Sequence, residues 1–277
     1  MRTKKKCVVL GAMFFACLFL FGSLDLSAQS AFNPKPKTAQ EAIEFVVMAN
    51  RILSNENIFD YLGHVSLRNP ENQNTFFISR AIAPDLVTKG DILEVDLDGK
   101  VITQSKFAPY SERIIHGSIY KARPDVNSVV HAHPIDACIM ANAGVQFRPM
   151  IHHAAIFWQG VPIYDEYDFA APKATGFLVT TKEEGDRVAR ILGPRKAMLM
   201  VAHGCIVVGD SLPYAVYATI VLRDNIVVQL GAEQASRQPK YMSEAQSKHM
   251  GQILGGGLER SWNYYVNRMK KANPDMR

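Results

Sequence analysis

The chain has 277 residues, 31 Lys and Arg against 26 Asp and Glu, eight His and four Cys. That length supports one large core or two small ones. With 48% hydrophobic and 21% charged residues it is not a disordered chain, and four Cys are too few for a disulfide scaffold of this size.

The formal charge of +5 is gathered at one end. Arg2, Lys4, Lys5 and Lys6 precede an apolar run from Cys7 to about Leu24, and small and polar residues follow from Ser27 to Ser30. This order predicts a secretory signal peptide over 1–30, with a retained anchor helix as the alternative. The expected location is therefore periplasmic or secreted, with no membrane contact after cleavage. Residues 1–30 hold four of the positive charges and one negative, Asp25, which leaves 27 against 25 in the remainder. That remainder has no Lys/Arg stripe with interleaved aromatics, so nucleic acid is not an expected partner.

Residues 31–37 read as a Pro-containing tether, and 38–277 as a single domain with a C-terminal helical extension. Thr38 and Glu41 make a capping box ahead of a helix over 39–53. Short extended pieces follow at Gly63 to Leu67, Thr75 to Ser79 and Ile92 to Leu97, the last ending at the turn signal Asp98-Gly99. A helix is expected from Ser111 to Arg123, a buried strand from Ser128 to His133 stopped by Pro134, and a short helix up to Ala143. A second capping box, Thr181 and Glu184, opens a helix that ends at Gly193-Pro194. Ala197 to Ala202 and Cys205 to Val208 read as strands around the turn His203-Gly204. Ser211 and Pro213 start a long helix to about Ala235, and the segment with Trp262, Tyr264 and Tyr265 is a final helix. The reading is one mixed α/β domain.

His131 and His133 alternate on one strand, so both side chains face the same side about 7 Å apart at the backbone and can converge on one ion. His203, at another strand end, would complete a three-His site with an open position. Glu112, after Ser111 at the start of the helix feeding that strand, is a candidate general acid/base. By itself it would be only a helix N-terminal carboxylate. His116, one turn later, could orient it. One of His152 and His153 could touch substrate. Cys138 and Cys205 are either small core residues or a disulfide pair. No G-x-S-x-G, P-loop, G-x-G-x-x-G or H-E-x-x-H motif is present, which disfavours serine hydrolases, nucleotide enzymes and zincins.

Together, SERIIHGSIYKARPDVNSVVHAHP and LMVAHGCIVVG resemble the class II aldolase/adducin family, typified by fuculose-phosphate aldolase and ribulose-phosphate 4-epimerase. The resemblance runs from about Ala39 to Ala235. It implies a three-layer α/β/α fold with a central mixed, largely antiparallel sheet, and a homotetramer. It also implies a divalent metal, with Zn²⁺ the first expectation, on His131, His133 and His203. Glu112 would be the proton donor and acceptor, and a ligand when no substrate is bound. Where sugar-phosphate members carry a G-N-V-S-like turn, a T-G pair and a Ser before the Ser-Glu, this chain has Gly63-His64-Val65-Ser66, Ile78-Ser79-Arg80-Ala81 and Tyr110. His64, Arg80 and Tyr110 would crowd a phosphate, and Arg80 could hold a carboxylate instead. His64, Ser66, Arg80, Ser111, His152 and His153 are the candidate substrate contacts. The leading expectation is a metal-dependent lyase that cleaves a C–C bond, aldol fashion, through a metal-stabilised enediolate in a small non-phosphorylated hydroxy-carbonyl compound. The second is a metal-dependent decarboxylase of a hydroxylated aromatic or keto acid. The third is a non-catalytic, adducin-like interaction module, which would need a broken His triad.

Overall fold

The computed structural model describes residues 34–165, 177–253 and 257–276. The expected signal segment and the start of the expected tether lie outside the described residues.

The first helix, α1 (Ala39–Asn55), starts where Thr38 Oγ1 accepts the Glu41 N–H at 3.2 Å. The return half of the expected box is displaced by one residue, because Glu41 Oε2 accepts from Lys37 N instead. Three strands follow: β1 (His64–Arg68), β2 (Thr75–Ser79) and β3 (Ile92–Asp96). Then come α2 (Arg113–Ala122), β4 (Ser128–Ala132) and α3 (Ile135–Asn142). A short 3₁₀ segment covers His152–Phe157, and β5 is the pair Ile163–Tyr164. The second capping box forms in both directions at the head of α4 (Lys182–Leu192), which Gly193 ends at φ 53°. The rest is β6 (Ala197–Met200), β7 (Gly204–Gly209), α5 (Leu212–Ala235), α6 (Glu244–Ile253) and α7 (Leu258–Ala272).

One seven-stranded sheet runs in the order β3-β2-β1-β4-β7-β6-β5. Only the β5–β6 pair is parallel, so the sheet is mixed and largely antiparallel. Strand alternation divides its apolar residues between two layers. Val65, Leu67, Val130 and Ala132 join α1, α3 and α5 in one core, which also takes Trp262 and Met269 of α7. Phe76, Ile78, Val129, Ile206 and Val208 join α2 and α4 in the other. With helices on both faces, β4 is buried along its whole length, as a covered central strand must be. By the same alternation His131 lies on the α2 face.

Buried polar groups fix the connections. The Arg68 guanidinium donates to the carbonyls of Val126, Gln73, Tyr120 and Arg123. On α5, Asn225 accepts from the Met150 and Ile151 N–H groups and donates to Arg148 O. Gln229 accepts from Arg148 N and donates to Gln146 O. These two amides pair the backbone of the segment that leads to His152.

Gly204 is the tightest approach in the sheet. A Cβ there would stand 2.1 Å from Ala132 O and 3.0 Å from His133 Cα. Both neighbours are backbone, so the clash cannot be relieved by a rotamer change. Gly204→Ala is expected to cost about 3 kcal/mol by overpacking. A urea midpoint equal to wild type would contradict this contact.

Candidate metal centre

Among the described residues, one group of His, Cys, Asp or Glu side chains can share an ion: Glu112, His131, His133 and His203, with one ligand atom from each lying within 4.8 Å of the others. Three separate pieces of chain deliver them. His131 is on β4, the central strand next to β1 and β7. His133 follows the strand end and is held extended by Pro134. Glu112 is the N-cap residue of α2. His203 sits in the turn between β6 and β7.

That turn is strained. Ala202 adopts φ 52°, a region costly for a residue with a Cβ. The Asn142 side chain at the end of α3 accepts the Ala202 N–H at 2.6 Å and so holds it. Asn142 gave no signal in the sequence, because one Asn at a helix end is ordinary.

His131 Nε2 lies 3.1 Å from His133 Nε2 and 3.1 Å from His203 Nε2. Glu112 Oε2 stands 3.6 Å from the first and 3.4 Å from the last. The carbonyl of Cys205 faces His131 Nδ1 at 3.2 Å, so Nδ1 carries the hydrogen and Nε2 presents a lone pair. That one lone pair faces two further nitrogens, and at most one of these contacts can be a hydrogen bond to it. Ligands about 2.0–2.1 Å from a zinc ion stand roughly 3.0–3.4 Å apart. The separations and the lone pair of His131 therefore fit a shared divalent cation.

Glu112 is oriented as well as placed, since Oε1 accepts the Val179 N–H at 2.9 Å while Oε2 turns to the histidines. Burial raises its pKa, whereas His131 and His203 in their protonated form pull the carboxyl well below its usual range. Burial lowers His131, and lowers His133 to about 3, so both imidazoles are in the neutral, ligating form. Among the described residues, Cys138 and Cys205 are free cysteines. Burial pushes the Cys205 thiol up to about 12 and also raises Cys138, so neither offers a thiolate.

The other sequence candidates are dispersed. His64 stands directly across from His131 in the β1–β4 register, with ring centroids 5.1 Å apart, and packs on Tyr110 at 4.5 Å. Ser66 is fully buried, its hydroxyl between His116 and Tyr120. His116 contacts His64 rather than orienting Glu112, the role expected of it. Arg80 pairs with Asp91 at 2.6 Å and lies over the Phe107 ring, an engagement the sequence did not reveal. Ser111 is exposed. His152 and His153 pack edge to face on the 3₁₀ segment and are not among the converging donors.

The family model described as Class II Aldolase and Adducin N-terminal domain matches residues 44–230. The chain is 30% identical over 240 residues to decarboxylase tropJ of Talaromyces stipitatus, an alignment covering 79% of this chain and 90% of that one. It is 26% identical over 253 residues to the 3,4-dihydroxyphthalate decarboxylase of Arthrobacter keyseri, covering 86% and 97%. Its fold superposes on the L-fuculose 1-phosphate aldolase from Glaciozyma antarctica PI12 with a TM-score of 0.74 at 23% identity, over 88% of this chain and 95% of the other.

Burial also ties the site to stability. His116 and His133 are lowered to about 3, against about 6.5 for an unfolded imidazole. Between those values the unfolded chain binds more protons than the folded one. Stability is therefore fully present above about pH 6.5 and is lost as pH falls toward 3. Urea midpoints of metal-free protein should drop steadily from about pH 7 to about pH 5, and less steeply in His116→Asn. A flat profile would contradict the buried neutral imidazoles.

Proposed function

The chain belongs to the class II aldolase and adducin family, and from that premise we propose that it is a metal-dependent carboxy-lyase acting on a small hydroxylated aromatic or keto acid. The observation that carries the lyase reading is the convergence of three imidazole nitrogens and one carboxylate oxygen. A divalent cation bound there supplies Lewis acidity toward the electron pair left when a C–C bond breaks.

The chain's own groups handle position and protons. Glu112 Oε2 is an ionised acceptor that can take the substrate hydroxyl proton and return it to the carbon that loses carbon dioxide. The Val179 N–H holds Oε1, which keeps the proton-carrying oxygen turned to the site. The hydroxyl oxygen is reprotonated from solvent, so one proton is consumed overall.

Decarboxylation is placed ahead of aldol cleavage for two reasons. The tropJ and dihydroxyphthalate relatives are named decarboxylases. His64 and Tyr110, in ring contact at 4.5 Å, stand at positions where sugar-phosphate members have smaller residues. Aldol cleavage leaves the same kind of electron pair and needs the same Glu112 proton transfer, so it is the second reading. All four donors are intact, which speaks against a non-catalytic module. The leader-like order of residues 1–30 supports export to the periplasm or beyond. Among the described residues no helix is long and apolar enough to cross a membrane. Exposed Ile135 and Ile139 on α3, directly after His133-Pro134, support a homo-oligomer with a subunit contact near the site.

Hydroxylated aromatic and keto acids should release carbon dioxide on incubation with the zinc-loaded protein, and Glu112→Gln should lower that turnover by about 10²–10⁴-fold while metal is retained. Aldehyde release from aldols without carbon dioxide release would establish the second reading. Unchanged turnover in Glu112→Gln would remove the proton-transfer role.

A further inference from the structure

Behind the metal centre a second line of buried polar groups leads away through the α2 face of the sheet. His64 Nδ1 meets His116 Nε2 at 2.7 Å, His116 Nδ1 meets Ser66 Oγ at 2.6 Å, and Ser66 Oγ meets Tyr120 OH at 2.7 Å. All four side chains are buried. None of the three groups behind His64 belongs to the converging donor set.

The direction of this line can be read from its distances. The Tyr120 phenol has one hydrogen and two neighbouring acceptors. Asn127 O is 3.3 Å away, beyond the 2.5–3.0 Å of an O–H···O bond, and it already accepts the Arg68 N–H at 2.8 Å. The hydrogen therefore goes to Ser66. The Ser66 hydroxyl, accepting from Tyr120, spends its own hydrogen on His116 Nδ1, and the short 2.6 Å separation suits an O–H donor. A neutral imidazole that accepts at Nδ1 carries its hydrogen at Nε2, so His116 donates to His64 Nδ1. His64 in turn carries its hydrogen at Nε2. Each ring accepts at Nδ1, which a doubly protonated imidazole cannot do, so both are neutral.

We propose that Tyr120, Ser66 and His116 are positioning residues that lock His64 in the Nε2–H tautomer, making it a neutral hydrogen-bond donor that selects substrates presenting a carboxylate-type oxygen beside the metal centre. His64 is suited to this by place, because β1 sets it opposite His131. With Nδ1 committed to His116, the Nε2 edge is the one left for a ligand. A donor fixed by its neighbours spends no energy choosing a tautomer when the ligand arrives, and a bond to an anionic oxygen is stronger than one to a neutral oxygen. This deepens the carboxy-lyase reading and rests on it for the substrate class. The tautomer itself does not depend on that reading.

Two measurements on the zinc-loaded protein test the proposal. Imidazole ¹⁵N spectra should show His64 and His116 both protonated at Nε2 and bare at Nδ1. A hydrogen on Nδ1 of either ring would overturn the lock. Binding of 2-hydroxybenzoate and of its neutral amide, 2-hydroxybenzamide, then tests selection. The acid should bind about tenfold better than the amide. His64→Leu should erase that preference. His64→Gln, whose amide nitrogen reaches about as far as Nε2, should restore most of it, with metal content unchanged in both variants. Equal affinity in the wild type, no binding of the acid, or a preference that survives His64→Leu would overturn the selection role. Failure to find any decarboxylated substrate would count against the carboxy-lyase reading and leave both of these results standing.

Discussion

Everything at this site depends on one nitrogen, His131 Nε2, which faces two other imidazole nitrogens at 3.1 Å each. Three imidazole nitrogens and a carboxylate oxygen do not gather in a buried space without something to satisfy them. The surrounding structure is arranged to hold them there. The Cys205 carbonyl fixes the His131 tautomer, Pro134 keeps His133 extended, and Asn142 clamps the positive-φ turn that carries His203. The bare Cα of Gly204 lets β7 close against the end of β4.

The same sheet position serves a second purpose. β1 lies between β2 and β4, so its alternating residues reach the candidate metal centre at His64 and the interior at Ser66. Electrostatics then differ across a few ångströms. Glu112 is held ionised by its histidine neighbours, while His64 and His116 are held neutral by burial. An acidic carboxyl and uncharged rings therefore stand side by side within one buried cluster.

Much of this was legible in the sequence because the signals are local. The i, i+2 spacing of His131 and His133 on an apolar strand, the two Thr/Glu caps and the Ser211-Pro213 helix start each depend on neighbours in the chain. The three-layer fold came from the family resemblance rather than from periodicity. What could not be read is what depends on distant partners. His116 sits one turn from Glu112 in sequence, yet a helix face turned toward β1 gives it to His64 and Ser66. Arg80 looked free to hold a carboxylate until Asp91, eleven residues on, was brought beside it. β5 has only two residues, too short for any pattern, and α6 is mostly polar, with Ser247 its one buried residue.

The central claim is that these four side chains hold one divalent cation. Elemental analysis of desalted protein tests it most directly. The account predicts close to one divalent ion per chain in the wild type and none in His131→Ala, the variant that removes the nitrogen shared by both short contacts. Protein without stoichiometric metal, or a His131→Ala variant that keeps it, would contradict the account.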